Sequence, residues 1–115
     1  LPLNGQLTSR GGRLVAAVKS APEYQFYALP GGPPYRPGMV RVTEGGGAIE
    51  MEIWELPARE FGAFVAGIPA PLGIGMVKLE DGGWVQGFVC EAAAAAGAED
   101  ITAFGGWRAY LASRN

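Results

Sequence analysis

The chain has 115 residues, of which 49% are hydrophobic and 17% charged, and its net charge is −2. That length supports one domain with a modest core, and the composition is too apolar for a disordered segment. With no basic stripe and no apolar run of membrane-spanning length, nucleic acid and membrane are not expected partners, and a cytoplasmic location is expected.

Taken in chain order, Leu3 to Arg10 predicts a short helix with Leu3 and Leu7 on one face, stopped by Gly11-Gly12. Arg13–Lys19 reads as a strand. Ala21-Pro22-Glu23 turns the chain into a second, aromatic-rich strand, Tyr24–Leu29. Residues 30–38 (PGGPPYRPG) carry four prolines and three glycines, which predicts an ordered surface loop. Met39–Val42 is a short strand, and Glu44–Gly47 a turn.

Ala48–Leu56 is the clearest strand, with Ile49, Met51 and Ile53 alternating with Glu50, Glu52 and Trp54. Pro57 opens a helix over Ala58–Ala66. Gly67–Gly75 then holds two prolines and three glycines among apolar residues. Such a stretch is either a stiff connector on the core or the wall of a pocket. Gly75–Glu80 and Trp84–Cys90 are strands joined by the hairpin turn Asp81-Gly82-Gly83. Glu91–Ala96 is a short helix closed by Gly97. Asp100 caps a last helix to about Ser113, weakened by Gly105-Gly106. Strands outnumber helices and several are hairpin-linked, so the expected fold is α+β, a small, mainly antiparallel barrel with flanking helices.

The sequence contains no histidine, which removes a Ser-His-Asp triad, a Cys-His pair and the usual zinc sites from this chain. Cys90 stands alone in an apolar strand, so a small buried hydrophobe is a better reading than a reactive thiol. No metal or cofactor is expected. Chemistry therefore falls to carboxylates, Lys, Arg, Tyr and backbone N–H groups. Glu50 and Glu52 read as the solvated face of their strand. Glu55 shares the face of Ile49, Met51 and Ile53, at a strand end where it enters a pocket or meets solvent. Lys78 and Arg108 sit beside apolar segments and either bind a carboxylate, Arg108 in bidentate fashion, or snorkel at the surface. Gly73-Ile74-Gly75 is a weak match to an anion-cradling turn. Tyr24 and Tyr27 have odd spacing, so at most one is interior, and a buried hydroxyl needs a partner. The opening residue is Leu1 rather than Met, which is expected of a fragment, a processed product or a domain of something longer.

Several stretches together match one family: Leu3-Asn4-Gly5-Gln6-Leu7, Tyr27-Ala28-Leu29-Pro30-Gly31, the run from Ile68 to Gly75, Gly87-Phe88-Val89-Cys90-Glu91, and the run from Asp100 to Leu111 (DITAFGGWRAYL). Over nearly its whole length the chain resembles the C-terminal domain of allophanate hydrolase and the small stand-alone proteins related to it. That domain is in turn similar to the gamma-glutamyl cyclotransferase fold. The resemblance implies a role in urea or allophanate breakdown. It implies a small carboxylated amide as ligand, assistance to decarboxylation of N-carboxycarbamate, an amidase as partner, and a homodimer.

Two departures qualify it. The first strand of the cyclotransferase fold, with its substrate-binding loop, would precede Leu1. The cyclotransferase glutamate has no counterpart in Phe64-Val65-Ala66-Gly67-Ile68, so cyclotransferase activity is not expected. The serine and lysine signature of the amidase is also absent, so the chain alone is not expected to hydrolyse allophanate. Within the resemblance, Tyr27 and Glu55 are candidates for handling the proton. Gly73, Ile74, Gly75, Lys78 and Arg108 are candidates for holding the anion. The competing reading is a non-catalytic module for dimerisation or amidase docking.

Overall fold

The computed structural model describes residues 2–30 and 36–114. The elements run α1 (Pro2–Ser9), β1 (Arg13–Lys19), β2 (Tyr24–Ala28), β3 (Pro37–Arg41), β4 (Glu50–Glu55), α2 (Ala58–Ala66), β5 (Leu72–Lys78), β6 (Trp84–Cys90), α3 (Ala92–Ala95), β7 (Glu99–Asp100), a 3-10 turn (Thr102–Phe104) and α4 (Trp107–Ser113). All strand pairs are antiparallel: β1 with β4, β3-β2-β7 in one sheet, and β5 with β6.

Isolated bridges join these ladders. Ser20 meets Leu79, and Tyr24 meets Gly47. Beside them, β3 packs against β6 closely enough that a Cβ at Gly38 would lie 2.9 Å from both the Cβ and Sγ of Cys90. The expected α+β class with antiparallel sheets is what forms. A closed barrel is not: among the described residues no ladder links β3 to β6 or β7 to β4.

The core follows from alternation along the strands. On β2, Tyr24 and Phe26 point inward and join Met39, Ile49, Val77, Ile101, Trp107 and Tyr110. Removing Ile49, Val77 and Ile101 almost wholly from water contributes about 1.5–3 kcal/mol each. The Phe26 and Trp107 rings meet edge to face, 6.4 Å between centroids, and Trp107 lies 5.3 Å from Tyr110. A second ring contact, Phe64 to Phe88 at 5.9 Å, seats α2 on β6. The turn into β4 is held by Ser20, fully buried, whose hydroxyl accepts from the Ile49 N–H (2.9 Å) and donates to the Ala21 carbonyl.

Several boundaries differ from expectation. Of the predicted loop at 30–38, residues 31–35 lie outside the described residues. Its end is strand instead, because β3 begins at Pro37 opposite Ala28; proline is tolerated as the first residue of an edge strand. β5 begins at Leu72 rather than Gly75 and ends at Lys78 rather than Glu80. Pairing with β6 through Cys90, Val89 and Phe88 extends it into the glycine-rich segment. The single C-terminal helix is three pieces. Asp100 pairs with Tyr27 in β7, and its carboxylate accepts from the Thr102 N–H (2.9 Å) and hydroxyl (2.6 Å) just before the 3-10 turn, whose cap position is Ile101, so it does not cap a helix. Gly105, at φ 73°, then turns the chain before α4.

Candidate functional site

Four strand ends converge at one corner of the molecule. Glu23 enters β2, Arg41 ends β3, Lys78 ends β5, and Trp84 opens β6 opposite Lys78. The cross-strand pair Tyr24–Arg41 fixes β3 against β2, and the Tyr24 hydroxyl accepts the Lys78 backbone N–H at 2.9 Å. That bond supplies the partner a buried tyrosine needs and ties β5 to β2.

Here the Glu23 carboxylate bridges two cations. Its Oε1 accepts from Arg41 Nε (2.9 Å) and Nη2 (2.5 Å), and its Oε2 from Lys78 Nζ (3.0 Å). The guanidinium of Arg41 also lies over the Trp84 ring, 5.1 Å from its centroid. Hydrogen bonds from Arg41 and then Lys78 hold the Glu23 carboxyl below its usual range, against a smaller opposing effect of burial. A shallow depression of about 400 Å3, open to solvent and lined by Glu23, Arg41, Val42 and Thr43, lies alongside.

Tyr27 is elsewhere. Along an extended chain it lies about 13 Å from Glu23, at ~3.3 Å per residue. It is half-buried on the β2 face shared with Gln25, and its hydroxyl donates to Gln25 Oε1. Burial first, then the charges of Asp100 and Cys90, push its titration upward, so the phenol keeps its proton. The Cys90 thiol is also pushed up, by burial and then Glu91, and donates to the Glu91 carbonyl at 3.3 Å. It behaves as a small buried side chain.

The remaining predicted residues do not gather with these. Glu55 is exposed at the end of β4 and pairs with Arg13 Nη2 at 3.0 Å. Arg108, on α4, is largely in solvent and reaches Glu52 Oε2 at 3.4 Å, while the other oxygen of Glu52 accepts from the Trp54 indole N–H (3.2 Å). Gly73, Ile74 and Gly75 lie within β5. At the two ends of the β5–β6 ladder, Glu91 N–H donates to the Pro71 carbonyl and Leu79 N–H to the Gly83 carbonyl. Antiparallel alternation between those ends points the N–H groups of Gly73 and Gly75 at β6, and that of Ile74 away from it. Glu23 and Arg41 were not singled out in the sequence. The signal available was the strand pairing that sets Arg41 opposite Tyr24, next to Glu23.

Among the described residues no group of three or more His, Cys, Asp or Glu is placed to hold a metal ion, and no helix is long and apolar enough to cross a membrane.

These features define a small α+β domain of antiparallel ladders, with a cation-lined corner rather than a deep enclosed catalytic cleft among its described residues. Residues 1–112 match the allophanate hydrolase C-terminal domain, and the chain belongs to that family. It is 44% identical over 115 residues to the urea amidolyase of Saccharomyces cerevisiae, which aligns with 96% of this chain but 6% of that protein. The crystal structure of the Kluyveromyces lactis urea amidolyase superposes at TM-score 0.95 and 40% identity over 100% of this chain and 7% of that one. That of a uropathogenic E. coli-specific protein superposes at TM-score 0.88 and 36% identity, covering 96% of this chain and 84% of that one. The chain thus spans a small part of the large yeast enzymes and most of the small bacterial protein.

Proposed function

We propose that the chain serves urea and allophanate breakdown, binding a small carboxylated amide and assisting decarboxylation of N-carboxycarbamate, the product an amidase forms from allophanate. The observation that carries this reading is the match along 96–100% of the chain to proteins named urea amidolyase and allophanate hydrolase. Under it the fold is related to that of the gamma-glutamyl cyclotransferases, open rather than closed among the described residues and without the cyclotransferase glutamate. The working setting is cytoplasmic, with an amidase domain or subunit as partner and a homodimer as the assembly.

The reaction asks little of the protein. The bond between nitrogen and one carboxylate breaks, carbon dioxide leaves, and the electron pair stays on nitrogen, which takes up a proton to give carbamate. The protein has to hold the substrate carboxylates, withdraw part of their water, and let a proton reach nitrogen. Lys78 and Arg108 are the cations assigned to the carboxylates; of the backbone donors at Gly73–Gly75, Gly73 and Gly75 are turned toward β6 and the Ile74 N–H is the one directed away from it. Tyr27, which retains its proton, and Glu55 are assigned to proton handling.

Carbon dioxide release in an assay reconstituted with an amidase tests this. Tyr27→Phe, Glu55→Gln and Arg108→Ala are measured singly, and at least one is expected to slow release about tenfold or more. Three unchanged rates would overturn the catalytic assignment.

A specific observation favours the alternative, a docking or dimerisation module. Leu14 and Val15 on β1 and Met76 on β5 are about half exposed, and the depression beside the cationic corner is open to solvent. Deleting the domain from an amidase that carries it should then lower dimerisation or turnover; an amidase that stays dimeric and fully active without it would exclude this role.

A further inference from the structure

We propose that Arg41 and Lys78 together form a binding site for a small dicarboxylate, and that Glu23 is its internal occupant, displaced when the ligand arrives. The inference rests on the reading of the chain as a binder of a small carboxylated amide, and adds the residues that would recognise it.

One carboxylate already sits between the two cations, with one oxygen on each. The geometry therefore suits a carboxylate at hydrogen-bonding distance from a guanidinium and an ammonium at once. Among the described residues, the ion pairs of both cations are with the one carboxylate of Glu23. A ligand with two carboxylates joined through one atom can give one to Arg41 and the other to Lys78, neutralising both.

The surroundings allow the exchange. Arg41 is half exposed, and Lys78 and Glu23 are each about one-third exposed at their side chains, so the ion pairs are reached from solvent and are weak enough to be replaced. The depression of about 400 Å3 beside Glu23 and Arg41 is ample for so small an anion. The Arg41 guanidinium carbon lies over the Trp84 ring, 5.1 Å from its centroid, while Nε and Nη2 donate to the carboxylate, so this contact with Trp84 survives the loss of Glu23. Displaced, the Glu23 side chain needs only to rotate into water.

Malonate is the probe, because it has a methylene where N-carboxycarbamate has its nitrogen and does not lose carbon dioxide under mild conditions. It is titrated into the chain while Trp84 indole and Arg41 Nε resonances are followed, with acetate as the single-carboxylate control. Malonate is expected to shift both resonances and to bind at least tenfold more tightly than acetate. Glu23→Gln, which removes the competing charge and keeps the shape, should tighten malonate binding about tenfold. Arg41→Gln should abolish it.

Binding that is no tighter in Glu23→Gln, or unchanged in Arg41→Gln, overturns the inference. If malonate binds in that case but is weakened by Arg108→Ala or Tyr27→Phe, the small-carboxylate reading stands and the site is elsewhere. If malonate binds to none of these forms, both fail.

Discussion

Glu23 sets the pH behaviour of the corner it occupies. Arg41 and Lys78 depress its titration below the ordinary 4.5 in the folded chain. A carboxyl depressed on folding contributes stability that is complete above its unfolded value and lost as pH falls through the folded one. The stabilisation therefore disappears in the acid range below about 4.5, not near neutrality. Urea midpoints of the wild type and Glu23→Gln should differ at about pH 6 and converge toward about pH 3; a constant difference would mean that the ion pairs do not control the residue. Beneath it, Tyr24 is the better anchored group. Tyr24→Phe removes the acceptor of the Lys78 N–H and leaves a backbone donor unsatisfied at a part-buried position. That should cost about 1–3 kcal/mol by chemical denaturation, whereas a loss under about 0.5 kcal/mol would show that water replaces the hydroxyl.

The glycines decide how closely the strands approach. Gly38 on β3 has Cys90 and a Leu29 methyl within 3.1 Å of where a Cβ would stand. Gly38→Ala should push β3 off β6 and destabilise the chain by about 1–3 kcal/mol. At Gly73 a Cβ would meet nothing within 4 Å, so Gly73→Ala should stay within about 0.5 kcal/mol. Equal losses at the two sites would contradict the β3–β6 packing. Most elements were legible because alternation and punctuation are local signals. β1 at Arg13–Lys19, α2 opened by Pro57, β6 at Trp84–Cys90 and the hairpin at Asp81–Gly83 all lie where the pattern put them. What was not legible depends on partners distant in sequence. Leu72–Ile74 looks like a loop until β6 lies beside it, and the stretch after Asp100 looks helical until β7 pairs with β2 and Gly105 turns back.

Across the whole molecule the same division holds for the candidate site. That at most one of Tyr24 and Tyr27 is interior, and that Cys90 is an inert thiol, followed from spacing and composition; which tyrosine is buried, Tyr24, came from the structure. Of the seven residues assigned to chemistry, Gly73, Ile74, Gly75 and Lys78 share β5, while Tyr27, Glu55 and Arg108 stand on β2, β4 and α4. Glu55 and Arg108 sit in separate exposed ion pairs, and Tyr27 stands along β2 from the corner that holds Lys78. The corner itself was invisible in sequence because it joins four strand ends separated by up to about 60 residues. Exposed Leu14 and Val15 lie on β1, where the β1–β4 register shifts between Leu14 and Ala16, and they give the domain an apolar margin that a single copy does not cover. An open cationic corner and such a margin suit the role proposed above, beside an amidase domain. The direct measurement is the rate of carbon dioxide release from N-carboxycarbamate, generated in place by an amidase acting on allophanate, with and without this chain at equal amidase activity. Faster release when the chain is present, lost when Lys78 is changed to Ala, is the predicted result; equal rates with and without the chain would contradict a role in decarboxylation.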